Sequence, residues 1–360
     1  MYIVFFFRMP FNLFTFPLVI RRQIPQEMSF IDVLNFSFCS SKTETLARKS
    51  IKKGYSSMIH SCSNLSVERS YVMQMKDINN LSEHLSFLIR EASREDIIQQ
   101  EKWFKLKIGQ TMVYCATPCH EASSIIKFYF NGSTLKVVHE MLRNTILNLH
   151  QTHLKSNIIF FWKQGMSQQK IHHFSNIRNV NHIILSEMVK LDTIPITFLD
   201  QIFSTWPNLG SLSLYPQIDG ELKDECGLFS IKRLFLGSSC LMADSVIPRF
   251  KGRHLSAKNA FISSEQVMHW LHQWTTDINF QNIQTMTFSL APGYQLNVEN
   301  IYQEVNAKPW DPATRPIDYC NEETLEKIIN CEEWLDISSN GRLISILVKP
   351  KSFGLVQWQL

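Results

Sequence analysis

The sequence predicts an α/β fold, α+β taken as a whole: a cluster of short N-terminal helices, an irregular array of alternating strands and helices, and a closing C-terminal β-hairpin. Three observations predict it. Residues 16–38 carry apolar side chains on too many sides for helices that stand alone. The spacing apolar-x-x-apolar-x-apolar recurs from Val180 onward. Near the end of the chain, Asn340-Gly341 separates two stretches of alternating hydrophobicity.

In the first helix Phe16, Val19, Ile20 and Ile24 form one stripe on a 100° wheel, and Pro25 ends it, since an interior proline costs about 3 kcal/mol. Phe30, Ile31, Val33, Leu34, Phe36 and Phe38 then occupy most of the circle in a second helix. Ser29 with Asp32 and Ser41 with Glu44 have capping-box spacing, which sets helix starts near 30 and 42. The last of the three puts Lys42, Arg48, Lys49, Lys52 and Lys53 on an exposed basic face. Helices apolar on most sides have to be covered, either by the rest of the chain or by another protein.

Residues 55–64 read as a loop, 81–92 as a further short helix and 95–109 as a helix running into a strand. Val138, Met141, Leu142, Ile146 and Leu149 mark one face of a helix, and 158–162 read as a buried strand. The recurring pattern begins after that. Val180-x-x-Ile183-x-Leu185, Leu209-x-x-Leu212-x-Leu214, Ile231-x-x-Leu234-x-Leu236 and Ile283-x-x-Met286-x-Phe288 are spaced by 29, 22 and 52 residues, with a weak copy, Gly252-x-x-Leu255-x-Ala257, in the long interval. This is the strand signature of leucine-rich repeats, in which stacked units bury one continuous core. The ninth position, usually Asn or Cys, holds Met188, Gln217, Ser239 and Ala291, and a non-repetitive α/β domain whose buried strands share the period fits the same residues. Ile344, Ile346 and Val348 alternate after Asn340-Gly341, a dipeptide suited to a two-residue hairpin turn, and 353–358 supply a further strand.

With 360 residues, 44% hydrophobic and 19% charged, the composition is that of a globular protein. A net charge of +4 does not imply a nucleic-acid or membrane partner, and no run approaches the roughly 18 apolar residues of a membrane span. Charge is uneven: residues 1–60 carry eight basic and three acidic side chains, and 299–336 carry ten acidic and three basic, so the front end suits an acidic partner. Eight cysteines without repeated spacing fit buried reduced thiols in an intracellular protein, cytoplasmic or nuclear. The short apolar run from Tyr2 to Phe7 has neither the basic flank nor the cleavage site of a secretory signal.

No phosphate loop, dinucleotide fingerprint, nucleophile elbow or zinc-protease helix occurs in the sequence. Cys115, Cys119 and His120 lack a second ligand pair at finger spacing and read as loop thiols. The pairs His172/His173 and His269/His272 have no acid beside them in a motif and read as ordinary helix histidines. No catalytic residue, cofactor or metal is expected.

Residues 13–53 resemble an F-box. Phe16-Pro17 stands where Leu-Pro is usual, followed by Val19, Ile20, Ile24 and Met28, then Ile31, Val33, Leu34, Phe36 and the segment Ser37–Thr43. The end of the chain is similar to the C-terminal F-box-associated (type 2) domain of a large nematode F-box family, in Asp336-Ile337, Asn340-Gly341, Ile344, Ile346, Phe353 and Val356 to Trp358. The resemblance divides the chain into an extension (1–12), an F-box (13–53), a linker with the first α/β elements (54–130) and an F-box-associated, repeat-like substrate-binding domain (131–360).

That resemblance implies a non-catalytic subunit of an SCF-type ubiquitin ligase. Its F-box would dock a Skp-family adaptor, and through it a cullin, while the distal domain binds a protein substrate. The adaptor contact is expected from Phe16, Pro17, Val19, Ile20, Ile24, Ile31, Leu34 and Phe38. In the repeat register, the residues between the apolar anchors face away from the core; His182, Ser186, Ser213, Tyr215, Arg233, Phe235, His254, Lys258 and Thr287 are the expected substrate surface. Phe235 stands out, since an aromatic on an open sheet is an anchor. A leucine-rich-repeat-like binding scaffold with no ligase role would share the array without binding the adaptor.

Overall fold

The computed structural model describes Val33, Ser37 and residues 41–50, 55–65, 68–77, 84–91, 103–108, 111–116, 125–130, 135–150, 155–162, 171, 174–187, 193–237, 242–276, 282–320, 328–339 and 341–358. The fold is mixed α/β. It divides into two compact units, Met1–Ile159 and Phe160–Leu360.

The first unit contains helix α1 (Ser41–Ser50), strands β1 (Tyr55–Leu65), β2 (Glu68–Asp77), β3 (His84–Glu91), β4 (Trp103–Ile108), β5 (Thr111–Ala116) and β6 (Ile125–Phe130), and helix α2 (Leu135–His150). Its strands run in the order β1-β2-β3-β6-β5-β4, antiparallel except where β3 and β6 lie parallel. Helix α2 forms where the sequence places it, and Val138, Leu142 and Ile146 on its apolar face are fully buried with Met58, Met73 and Met75 of β1 and β2. Val33 and Ser37 are helical and buried, and α1 buries Thr43, Leu46 and Ala47. Arg48, expected on an exposed basic face, is half-buried and paired with Glu44 at 3.0 Å, four residues apart along the helix.

Two expectations fail in this unit. Residues 55–64 form strand β1 and not a loop, because Met58 pairs with Met75 and His60 with Met73, giving the segment a buried face with period 2. Residues 84–91 form strand β3 and not a helix: pairing to β2 on one side and β6 on the other overrides a weak helical pattern. Residues 103–108 are the expected strand.

Strand β7 (Lys155–Trp162) carries the boundary, and its Phe160 and Trp162 belong to the second unit's core. Phe160 packs edge-on against Phe174 and Phe198, and Trp162 against Phe198, with its indole donating to the Thr193 carbonyl at 2.8 Å. The unit then runs through β8 (Val180–Glu187), β9 (Thr193–Pro195), α3 (Ile196–Thr205), β10 (Ser211–Leu214), β11 (Gln217–Asp219), β12 (Arg233–Leu236), α4 (Ala243–Val246), β13 (His254–Ala260), α5 (Ser264–Thr276), β14 (Thr285–Leu290) and α6 (Val298–Glu304). It ends with β15 (Asp318–Cys320), β16 (Ile328–Asn330), β17 (Leu335–Ser339), β18 (Arg342–Lys349) and β19 (Ser352–Trp358).

Strands β8, β10, β12, β13 and β14 lie side by side in chain order and parallel, each returning to the next position through a helix or short turn. Their anchors line up as rungs. Ile183, Leu212, Leu234, Leu255 and Met286 pair in one row, and Leu185, Leu214, Leu236, Ala257 and Phe288 in the next. The weak copy at Gly252 is therefore a full member of the row. Gly252 is needed there: a β-carbon would run into the Ile231 carbonyl and the Phe250 ring. Helix α5 covers the anchor side, with Trp270 edge-on to Phe288.

Beyond β14 the sheet turns antiparallel through β19, β18 and β17. Ser339 pairs with Arg342 at the end of the expected hairpin, and Gly341 has φ 74°. On the side opposite α5, Tyr319, Cys331 and Trp334 bury against Leu343, Val356 and Trp358 of these strands. Gly354 is where the Trp334 ring settles, its nearest atom 2.7 Å from where a β-carbon would stand. Arg315 lies fully buried under this cluster. Its Nε donates to both oxygens of Asp336 (2.9 and 3.1 Å) and its Nη2 to the Cys331 and Trp334 carbonyls. Ser345 donates to Asp336 and accepts from the Trp358 indole at 2.7 Å.

Candidate functional site

The face of the parallel array turned away from α5 is the candidate site. Because Leu212, Leu234 and their neighbours point to the core, alternation sends Ser211 and Ser213, Arg233 and Phe235, His254 and Ser256, Thr285 and Thr287 to the other side. The parallel register places them in two rows. One runs His182, Ser211, Arg233, His254, Thr285; the other runs Ile184, Ser213, Phe235, Ser256, Thr287.

Side chains of these rows bond to one another across strands, within a row and, for His182 with Ser213, between the two. His182 Nε2 and Ser213 Oγ are 2.9 Å apart, His254 Nδ1 and Thr285 Oγ1 3.0 Å, and Thr287 donates to Ser256 at 3.1 Å. Burial, and then the Arg233 guanidinium, hold the His182 imidazole down to about 4, so it is neutral at physiological pH and its ring nitrogens serve as hydrogen-bonding groups only.

At the carboxyl ends of the strands the face becomes aromatic. The Tyr215 and Phe235 rings lie 5.4 Å apart, and the Lys258 ammonium stands over Phe235 at 5.5 Å. A backbone feature seats this cluster. A β-carbon at Gly237 would run into the Tyr215 ring, so the glycine is the seat on which that ring rests. Lys258 stands two residues beyond Ser256, the partner of Phe235 in register, and so reaches that ring along the same face; the strand then bulges, with Lys258 and Asn259 facing the single Ser289 and Asn259 at φ 54°.

Of the expected substrate-surface residues, His182, Ser186, Ser213, Tyr215, Arg233, Phe235 and Thr287 are half-buried, Lys258 is exposed and His254 is buried. His182 with Ser213, and Tyr215 with Phe235 and Lys258, are brought into contact; Ser186 lies at the end of its strand. Sequence reasoning passed over Ser211, Ser256 and Thr285, which the same alternation would have found, and Gly237, whose signal is a glycine directly after a strand. The polar rows stop at β14: the next positions in register, Val356 and Gly354, lie under the Trp334 cluster.

The expected adaptor contacts Phe16, Pro17, Val19, Ile20, Ile24, Ile31, Leu34 and Phe38 lie outside the described residues, as do His172, His173, Cys119 and His120. Cys115 is in β5. His272 of α5 meets Glu304 of α6 at 3.5 Å in an exposed pair. Cys226 and Cys331 are buried free thiols, and burial pushes Cys331 up to about 11. Among the described residues no helix is long and apolar enough to cross a membrane.

No family model, curated protein or solved structure matches the chain.

Proposed function

We propose that the chain is a substrate-recognition subunit of an SCF-type cullin-RING ubiquitin ligase, with residues 13–53 as an F-box and the second unit as a leucine-rich-repeat-like, F-box-associated receptor. One structural observation supports the receptor half above others. Five parallel strands in register carry a continuous polar and aromatic face, an extended surface of the kind that grips a protein segment. The F-box half is supported by the sequence resemblance at Phe16-Pro17 through Thr43. In this role the chain supplies proximity: it holds cargo beside the charged conjugating enzyme and needs no catalytic side chain of its own.

Co-purification with a Skp-family adaptor tests the reading. The wild-type chain is expected to retain the adaptor, and an Ile20→Asp, Leu34→Asp variant to lose it. A wild-type chain that captures no adaptor ends the ligase reading and leaves a binding scaffold.

A further inference from the structure

The charge on the candidate face is one-sided. At the outward positions of β8, β10, β12, β13 and β14 the charged residues are Arg233 and Lys258, and no Asp or Glu stands among them. Lys258 is exposed, and the strand register places its ammonium over the Phe235 ring at 5.5 Å, diagonal to the Phe235–Ser256 pair. Beside it the Tyr215 and Phe235 rings are fixed in a tilted pair, with Tyr215 seated on Gly237. A cation held next to rigid aromatic surface suits a ligand that offers an acid and an apolar group close together.

We propose that the Tyr215–Phe235–Lys258 corner of this face binds an acidic peptide segment bearing an aromatic or aliphatic side chain. Lys258 meets the carboxylate, and the two rings take the apolar group. The proposal rests on the reading above in taking the face as the cargo surface, and it adds the chemistry of the cargo. A nucleic acid is disfavoured because its backbone charge calls for a denser row of cations than this face presents.

The test is fluorescence anisotropy of a fluorescein-labelled glutamate–tyrosine copolymer titrated with the full chain. Lys258→Gln is expected to weaken binding about threefold and Lys258→Glu about tenfold, with added salt weakening the wild type in parallel. Lysine–tyrosine copolymer and labelled oligouridylate are expected to bind at least tenfold less tightly, a difference of about 1.4 kcal/mol or more. Because Lys258 is exposed, circular dichroism should show both variants folded as the wild type.

Unchanged affinity in Lys258→Glu, no copolymer binding by the wild type, or equal binding of the basic copolymer or the oligouridylate would each overturn the proposal. Adaptor capture measured on the same preparations separates the two readings. A chain that takes the copolymer and not the adaptor keeps this inference and loses the ligase role; the reverse result keeps the ligase role and loses this inference.

Discussion

Replacing Arg315 with alanine should be among the most damaging single changes in the second unit. The guanidinium is wholly buried and donates to both Asp336 oxygens and to the carbonyls of Pro316, Cys331 and Trp334. Its removal leaves a carboxylate that is 8% exposed with the Ser345 hydroxyl as its remaining side-chain donor, and takes a donor from three carbonyls. Truncating one partner of a buried, hydrogen-bonded pair costs about 3–5 kcal/mol. At roughly 2–4 °C per kcal/mol for a unit of this size, the melting temperature should fall by about 6–20 °C.

The assay is thermal unfolding followed by tryptophan fluorescence, since Trp310, Trp334 and Trp358 all border the network. The double variant Arg315→Met, Asp336→Leu should retain more stability than either single change, because no charge is then stranded. A drop under about 2 °C for Arg315→Ala, or a double variant as unstable as the sum of the singles, would refute the account of this network as a mutually dependent buried pair.

Three further outcomes are expected. Stability of the second unit should decline as pH falls below 6.5, because the unfolded His182 takes up a proton there while the folded one stays neutral to about 4. The slope should be no more than about 1.4 kcal/mol per pH unit, should level off near pH 4, and should flatten in His182→Gln, all readable from urea midpoints across pH. His60→Leu should stabilise the first unit by about 1–3 kcal/mol in the same denaturation assay. The native imidazole is fully buried against His139, neither ring nitrogen has a hydrogen-bond partner among the described residues, and burial holds its pKa well below the usual value. Alkylation at mildly alkaline pH followed by peptide mapping should label exposed Cys320 before buried Cys331; equal labelling would contradict the packing of the Trp334 cluster.

Much of the second unit was legible because its strands are short and share one apolar spacing, anchored by large aliphatic residues. The register from Val180 through Phe288 lines up rung by rung, and the Asn340-Gly341 turn joins the strands it separates in the sequence. The first unit was not so legible. β1 is rich in serine and its buried face is made of Met58 and His60, so neither composition nor hydrophobicity marks it as a strand. β3 has local preferences that pairing on both edges overrides.

The sequence by itself determined which side of each repeat strand is apolar, and therefore that His182, Ser213, Arg233, Phe235 and Thr287 share a face, because side-chain direction along a strand follows from period 2 alone. Only the tertiary structure decided how far that face extends and what it is made of. The Trp334 cluster closes it at β14, Gly237 seats Tyr215, and Lys258 meets the Phe235 ring from the neighbouring strand. Each of these depends on residues from separate parts of the chain meeting in three dimensions, about which local patterning carries no information.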